Sequence, residues 1–382
     1  MEKKILMLIT GLARGGAETQ LLLLASGLKR RGWQVRVVSM LPPEDFAEEL
    51  REGGVPVDSL GMTRGVPDPR ALWRFSRVLR EFRPSVVHAH MIHANLLARL
   101  TRLFVRVPVL VCTAHNTIEV GRGFRTESAV HLAYRLTDPL CDLTTQVSLE
   151  GYRRYLEGRA APPKKLRYVP NAVDLERFAP DPALRQEMRK ALGLSEEAFL
   201  WLAVGRLEEA KDYPTLLQAF ALVVKTHPKA TLFVVGKGIL ESSLRDLVRS
   251  LGLEASVRFL GLRKDVPALM CAADAYVLSS AWEGMPMVLL EAHASGLPVV
   301  STDVGGVREV VRDGVSGYVV PPRDPSALAE AMKRLQSLPK EKQLSMGVEG
   351  RKWVEENYSL ETLLGRWEAL YKDLYQKKCD LK

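Results

Sequence analysis

Short apolar runs alternate with helical stretches along almost the whole of this 382-residue chain. Ile5–Ile9, Val35–Ser39, Val86–Ala89, Val109–Thr113 and Leu143–Val147 read as strands in the first half. Leu200–Val204, Thr231–Val235, Val257–Leu260, Ala275–Ser279 and Pro298–Ser301 repeat the pattern in the second. Between them lie helical patterns, among them Ala17–Arg31, Arg70–Phe82, Ala94–Val105, Ser128–Leu136, Tyr213–Thr226, Leu240–Leu251 and Pro325–Gln336. A strand–helix–strand repeat of this kind builds parallel sheets. The chain is too long for one ordinary core. A Pro-rich stretch, Gly158–Pro182, interrupts the alternation near the middle and reads as a linker. The expectation is an α/β protein of two doubly wound parallel-sheet domains, residues 1–165 and 181–357, joined by a linker at 166–180 and followed by a long amphipathic helix within 358–382. Ligands of such sheets bind at the carboxyl ends of the strands.

Composition narrows the setting. No segment approaches the ~18 uninterrupted apolar residues that cross a bilayer, and the N-terminus reads as a first buried strand rather than a leader. The four cysteines show neither metal nor redox spacing, which suits a reducing cytoplasmic compartment. The net charge of +9 lies wholly in the first half: residues 1–180 hold 27 Lys and Arg against 18 Asp and Glu, and the remainder balances at 27 of each. A basic half suits an anionic partner such as a membrane surface. Nucleic acid competes with that reading, but no binding motif supports it.

Glu283 and Glu291 carry the most specific chemistry. Glu283 ends a turn, and Glu291 sits two turns into the helix expected after Pro286, with Pro286 suited to the first helical position. Eight residues at 100° each bring the second carboxylate 80° past two full turns, with a rise of about 12 Å. Both can therefore reach one extended ligand, and the helix start between them offers N–H groups to a phosphate. Other strand ends carry matching features. Gly15 and Gly16 open the first helix, where a backbone can approach a phosphate. Arg206 and Lys211 lie between a strand and a helix, where two cations can neutralise a diphosphate leaving group. Gly236 ends another strand, and Leu262 follows a further one where backbone groups could line a base pocket.

His115 and Asn116 follow the strand Val109–Thr113, where an imidazole can polarise a sugar hydroxyl. His88, His90 and His93 look like a metal cluster at first sight, but their spacing favours loop and ligand-lining roles. Arg70, Arg74 and Arg77 share one helix face, opposite Leu72, Leu79 and Phe82; Arg99, Arg102 and Arg106 share another, opposite Leu97, Leu100 and Phe104. Basic amphipathic helices of this kind lie on anionic headgroups, so the six arginines are expected at a membrane.

Together, Gly-Gly-Ala-Glu at 15–18, Val-Pro-Asn-Ala-Val-Asp at 169–174, Gly-Arg…Lys-Asp at 205–212, the Glu-x7-Glu at 283–291 and Ser-Gly-Leu-Pro-Val-Val…Gly-Gly at 295–306 resemble glycosyltransferase family 4. These are retaining nucleotide-sugar transferases with the GT-B fold, two facing Rossmann-like domains with a last helix crossing back to the first. The resemblance implies that Arg206 and Lys211 hold the donor diphosphate, that Glu291 binds the ribose and that Glu283 contacts the sugar. It puts Gly284, Met285, Pro286, Met287, Val288 and Leu289 along the donor through their backbone, Gly16 on the diphosphate and His115 beside the reacting carbon. It requires no metal. Glu18, His90, His93 and Asn116 fall to the acceptor side. Two departures are Lys237 between glycines, and Ala172 where the family commonly has glycine.

The implied function is transfer of a sugar from a nucleotide-diphosphate donor, a UDP-sugar, to a lipid-linked or membrane-proximal glycan on the inner face of the cytoplasmic membrane. A GT-B epimerase or phosphorylase, or a non-catalytic nucleotide- or nucleic-acid-binding protein, is the alternative.

Overall fold

The computed structural model describes residues 1–115, 126–195 and 197–380, which form two compact units. The first comprises Met1–Ala172 and Leu360–Lys382, the second Val173–Ser359.

The first unit holds seven parallel strands: β1 (Lys4–Ile9), β2 (Gln34–Ser39), β3 (Val57–Ser59), β4 (Val86–His90), β5 (Val109–Ala114), β6 (Leu143–Gln146) and β7 (Leu166–Tyr168), in the spatial order β3-β2-β1-β4-β5-β6-β7. The second holds β8 (Phe199–Val204), β9 (Ala230–Val235), β10 (Val257–Gly261), β11 (Ala275–Leu278), β12 (Val299–Thr302) and β13 (Gly317–Val320), ordered β10-β9-β8-β11-β12-β13 and also parallel. Strand order reverses between β1 and β4 in one sheet and between β8 and β11 in the other. Such reversals leave a crevice at the strand carboxyl ends, because the following helices leave to opposite faces.

The alternation of side chains sets the cores. In the first unit Ile5, Met7, Val35 and Val37 pack towards the helix Gly16–Arg30, while Leu6, Leu8, Val87, Leu110 and Cys112 pack towards Arg70–Phe82 and Ile92–Thr101. The last helix, Leu360–Asp380, returns to the first unit as the GT-B expectation required. It inserts Leu360, Leu363, Leu364, Trp367 and Tyr371 into the Gly16–Arg30 side of the core. Gly27 is needed there, since a Cβ on it would lie 2.6 Å from Leu364 Cδ1. Tyr371 Oη also bonds His88 Nδ1 at 2.7 Å, and Glu368 accepts from Trp33 Nε1 at 2.7 Å. In the second unit Trp201, Phe220, Val234, Val277 and Leu328 belong to one core.

Residues 166–168, placed in the linker from sequence, are the edge strand β7, and the first unit runs on to Ala172.

Candidate active site

In the second unit the loop after β8 carries Arg206 and Lys211, and the turn after β11 carries Glu283. These strands are neighbours at the order reversal, so residues far apart in sequence meet. Lys211 Nζ forms a close ion pair with Glu283 Oε1, both side chains being largely buried. The same oxygen accepts from Ser280 Oγ at 2.6 Å. Ser279 Oγ donates to the Lys211 carbonyl at 2.8 Å, and Thr302 Oγ1 to the Ser280 carbonyl at 2.7 Å. A backbone bond from Ala281 N to Ala210 O, 2.9 Å, ties the two loops together. Two adjacent serines therefore fix both ends of the ion pair, one through the lysine's backbone and one through the glutamate's carboxylate. Arg206 is different: it is exposed and its guanidinium reaches Glu208 at 3.3 Å.

The helix following Glu283 runs Met287–Ala294, and Pro286 precedes it at the cap position rather than opening it. Met287, Leu289, Leu290 and Ala292 on it are buried, so packing fixes its start. Gly284, Met285 and Pro286 are buried, while Val288 is half-buried. Glu291 is also half-buried, and burial pushes its carboxyl up to about 7, opposed by the charge of Arg177. A carboxyl held in this way gains most from hydroxyl donors that would stabilise its ionised form.

Glycines hold these loops at close range. Gly305, at φ +55°, packs so tightly that a Cβ would fall 2.4 Å from Glu283 O and 2.5 Å from Gly284 O. Gly306 N donates to Gly284 O at 2.7 Å. Gly236, at φ +141°, would place a Cβ 2.0 Å from Gly205 O. It therefore props the Arg206 loop, a role not apparent from sequence, where it reads as a ligand-facing glycine. Leu262 is half-exposed after β10.

In the first unit Gly15 caps the helix Gly16–Arg30 in an extended conformation. A Cβ on Gly15 would lie 2.4 Å from Glu18 Oε2, so the Glu18 carboxylate lies close over this helix start. His90, ending β4, and His115, just after β5, are brought together: His90 Nδ1 and His115 Nε2 are 3.0 Å apart and both rings are buried. Burial pushes His115 down to about 3 and holds His88 and His90 well below the usual imidazole range. Burial thus favours the neutral ring at all three positions. His88 is a structural residue, bonding Tyr371 and, at 2.6 Å, Thr113 Oγ1. Met91 turns the chain from β4 into the next helix at φ +73°, an uncommon conformation for a side-chain-bearing residue, and half-buried His93 follows in that helix's first turn. Asn116 lies outside the described residues.

Two of the arginines assigned to a membrane face are inward. Arg99 is fully buried, donating to Tyr134 O at 2.9 Å, Thr137 Oγ1 at 3.0 Å and Thr144 Oγ1 at 2.7 Å. Arg102 pairs with Asp142 at 2.8 Å and donates to the Leu140 and Val107 carbonyls. A guanidinium on a long stem can satisfy several backbone acceptors between elements, and that outweighs exposure here. Arg74 is half-buried on Asp68, whereas Arg70, Arg77 and Arg106 are exposed.

Sequence reasoning missed Ser279, Ser280 and Thr302. Their signal was only their position at the ends of apolar strands.

Residues 185–353 match the family described as glycosyl transferases group 1, and residues 14–177 match Glycosyltransferase Family 4. The chain is 30% identical to the GDP-mannose-dependent alpha-(1-6)-phosphatidylinositol monomannoside mannosyltransferase of Mycolicibacterium smegmatis, covering 85% of this chain and 88% of that one. It is 28% identical to the UDP-Gal:alpha-D-GlcNAc-diphosphoundecaprenol alpha-1,3-galactosyltransferase of Escherichia coli, over 84% and 87%. The crystal structure of Anabaena Alr3699/HepE in complex with UDP and glucose shares the fold, with a TM-score of 0.85 at 22% identity over 97% of this chain and 99% of that one. With both units matched, the chain belongs to the group 1 and family 4 glycosyltransferases and has the GT-B fold.

Proposed function

We propose that this glycosyltransferase is a retaining enzyme. It moves a hexosyl or N-acetylhexosaminyl group from a UDP-sugar to a lipid-linked glycan, such as a polyprenyl-diphosphate glycan, at the inner face of the cytoplasmic membrane, in polysaccharide biosynthesis. The observation that carries the reading is the Lys211–Glu283 pair at the β8–β11 reversal, with half-buried Glu291 two turns into the following helix.

In this mechanism Arg206 and Lys211 take the diphosphate, whose charge grows as its bond to the sugar breaks. Lys211 exchanges Glu283 for phosphate oxygen, and Glu283, still held by Ser280, turns to the sugar hydroxyls. Glu291 accepts from the ribose. The acceptor oxygen attacks the anomeric carbon on the face the diphosphate leaves. The carbon–phosphate-oxygen bond breaks as the carbon–acceptor-oxygen bond forms, and the acceptor proton passes to the departing phosphate. The two cations supply the charge this step needs without a metal. Glu283, which keeps its bond to Ser280 through this exchange, is suited to orienting the sugar rather than attacking it. The first unit takes the acceptor through Glu18, His90, His93 and Asn116, with neutral His115 bonding a sugar hydroxyl.

The relative acting on UDP-Gal and a diphosphoundecaprenol acceptor supports the donor and acceptor classes, although the mannosyltransferase relative uses GDP-mannose. The test is nucleotide release across a panel of UDP- and GDP-sugars, with and without polyprenyl-diphosphate glycans, followed by anomeric assignment of the product by NMR. Retained configuration with a UDP-sugar is expected. An inverted product, turnover indifferent to acceptor, or unchanged transfer by Glu283→Ala would overturn the reading.

A further inference from the structure

The helix Ile92–Thr101 and the turn after it keep Leu97 in the core but otherwise depart from the face their sequence suggests. Because Arg99 and Arg102 are satisfied inside, Leu100, Leu103 and Phe104 face outward. The neighbouring helix Arg70–Phe82 exposes Trp73, and Glu127–Thr137, packed on the other side, exposes Leu132 and Leu136. Trp73, Leu103 and Phe104 are 61%, 61% and 63% exposed. Single exposed leucines are ordinary. Here, however, six of the fourteen exposed large apolar side chains among the described residues lie on three adjoining helices and the turn after the second.

The residues between them are cationic. Arg77 lies over the Trp73 ring at 5.3 Å, and Arg80 reaches the Phe104 carbonyl at 3.4 Å. Arg70, Arg106 and Arg135 are exposed on the same elements. The acidic groups there are engaged by other cations: Glu81 by Arg36 at 3.1 Å, and Glu127 by Arg154 at 3.4 Å. Protein interfaces also enrich aromatic side chains and arginine, so the choice of partner rests on the sign of the charge: exposed cations stand between the apolar side chains, while Glu81 and Glu127 are held in ion pairs. That sign suits an anionic bilayer at headgroup level, where rings and leucines enter the acyl boundary and guanidinium groups stay on phosphate.

We infer that this three-helix face docks on an anionic lipid bilayer, with Trp73, Leu100, Leu103 and Phe104 entering the interface and Arg77, Arg80 and Arg106 on the headgroups. The inference gives a contact surface to the membrane location proposed above and rests on that reading for its purpose; the binding itself stands on the surface alone.

The experiment is sedimentation of the full chain with vesicles of phosphatidylcholine, with and without phosphatidylglycerol. Wild type should bind the anionic vesicles and much less the neutral ones. The combined change Trp73→Ser, Leu103→Ser, Phe104→Ser should lower binding at least ~tenfold, and Arg77→Glu with Arg106→Glu should remove the preference for anionic lipid. Leu344→Ser with Val348→Ser, an equally exposed apolar pair in the second unit, should leave binding unchanged. Equal binding by the triple variant overturns the inference, as does a wild-type dimer that the triple variant makes monomeric in sedimentation velocity. Sugar transfer to a soluble acceptor separates the two readings. If the triple variant transfers normally but no longer binds vesicles, both stand. If wild type binds vesicles but transfers to no acceptor, the activity reading fails and the docking surface remains.

Discussion

Glu291 makes the proposed donor site sensitive to pH in two opposite ways. Burial raises its carboxyl from 4.5 to about 7. Between these values the folded chain holds a proton that the unfolded chain has released, so this contribution to stability is full below pH 4.5 and is lost as pH rises through 7. A rise of that size is worth on the order of 3 kcal/mol. The side chain is half-buried rather than sealed, and solvent screening brings the figure to about 1–2 kcal/mol. Donor binding runs the other way. Ribose hydroxyls donate to the ionised carboxylate, so affinity should weaken as pH falls below 7, by up to about tenfold per pH unit. Glu291→Gln carries no titrating group and should show neither effect: weaker but pH-flat donor binding, and a second-unit unfolding transition about 1–2 kcal/mol more stable than wild type at pH 8. Calorimetric titration with a UDP-sugar from pH 5.5 to 8.5 isolates the carboxyl, because a diphosphate diester does not ionise in that window. Urea unfolding at pH 5 and pH 8 gives the stability arm. The reasoning fails if Glu291→Gln keeps the wild-type pH slope in binding, or if it is less stable than wild type at pH 8.

Two further outcomes follow from the loops around the ion pair. Ser280→Ala removes a hydrogen bond to a charged carboxylate, an interaction of about 1.5–3 kcal/mol. Steady-state kinetics should show kcat falling about 10–100-fold with the donor KM little changed, and a kcat within twofold of wild type would count against the positioning role. Gly236→Ala forces a Cβ onto the Gly205 carbonyl and a side chain into a backbone conformation that disfavours it; a loss of at least ~2 kcal/mol is expected. Thermal melting checks this, and a melting temperature equal to wild type would show that the loop yields freely.

The strands buried on both faces were legible because their apolar runs decide their own fate: β1, β2, β4 to β6 and β8 to β12 all fall where those runs lie. β3, β7 and β13 were not. Val57–Ser59 and Leu166–Tyr168 are three residues each, and Gly317–Val320 follows a turn. Their pairing is imposed by the neighbouring strand rather than by their own pattern. Lys211 and Glu283 were each visible as strand-end residues, but nothing local says that a cation and an anion 72 positions apart will neutralise one another. Ser280 was invisible for the same reason, since its importance lies in the carboxylate it meets. Arg99 shows the limit of reading helix faces. Periodicity separates two faces, but which one turns inward depended on the acceptors supplied by Tyr134, Thr137 and Thr144.

The return of Leu360–Asp380 to the first unit has a consequence for how the chain comes to be folded. Residues 1–172 leave the ribosome first, yet the surface that Leu363, Leu364, Trp367 and Tyr371 cover remains open until the whole second unit has been made. The second unit is one continuous segment and can close as soon as it emerges, so the earlier-made unit finishes later. Until then Gly27, Trp33 and His88 border an unfinished apolar trough. Loss of the last helix would therefore be felt in the first unit, at residues 283 to 335 positions away.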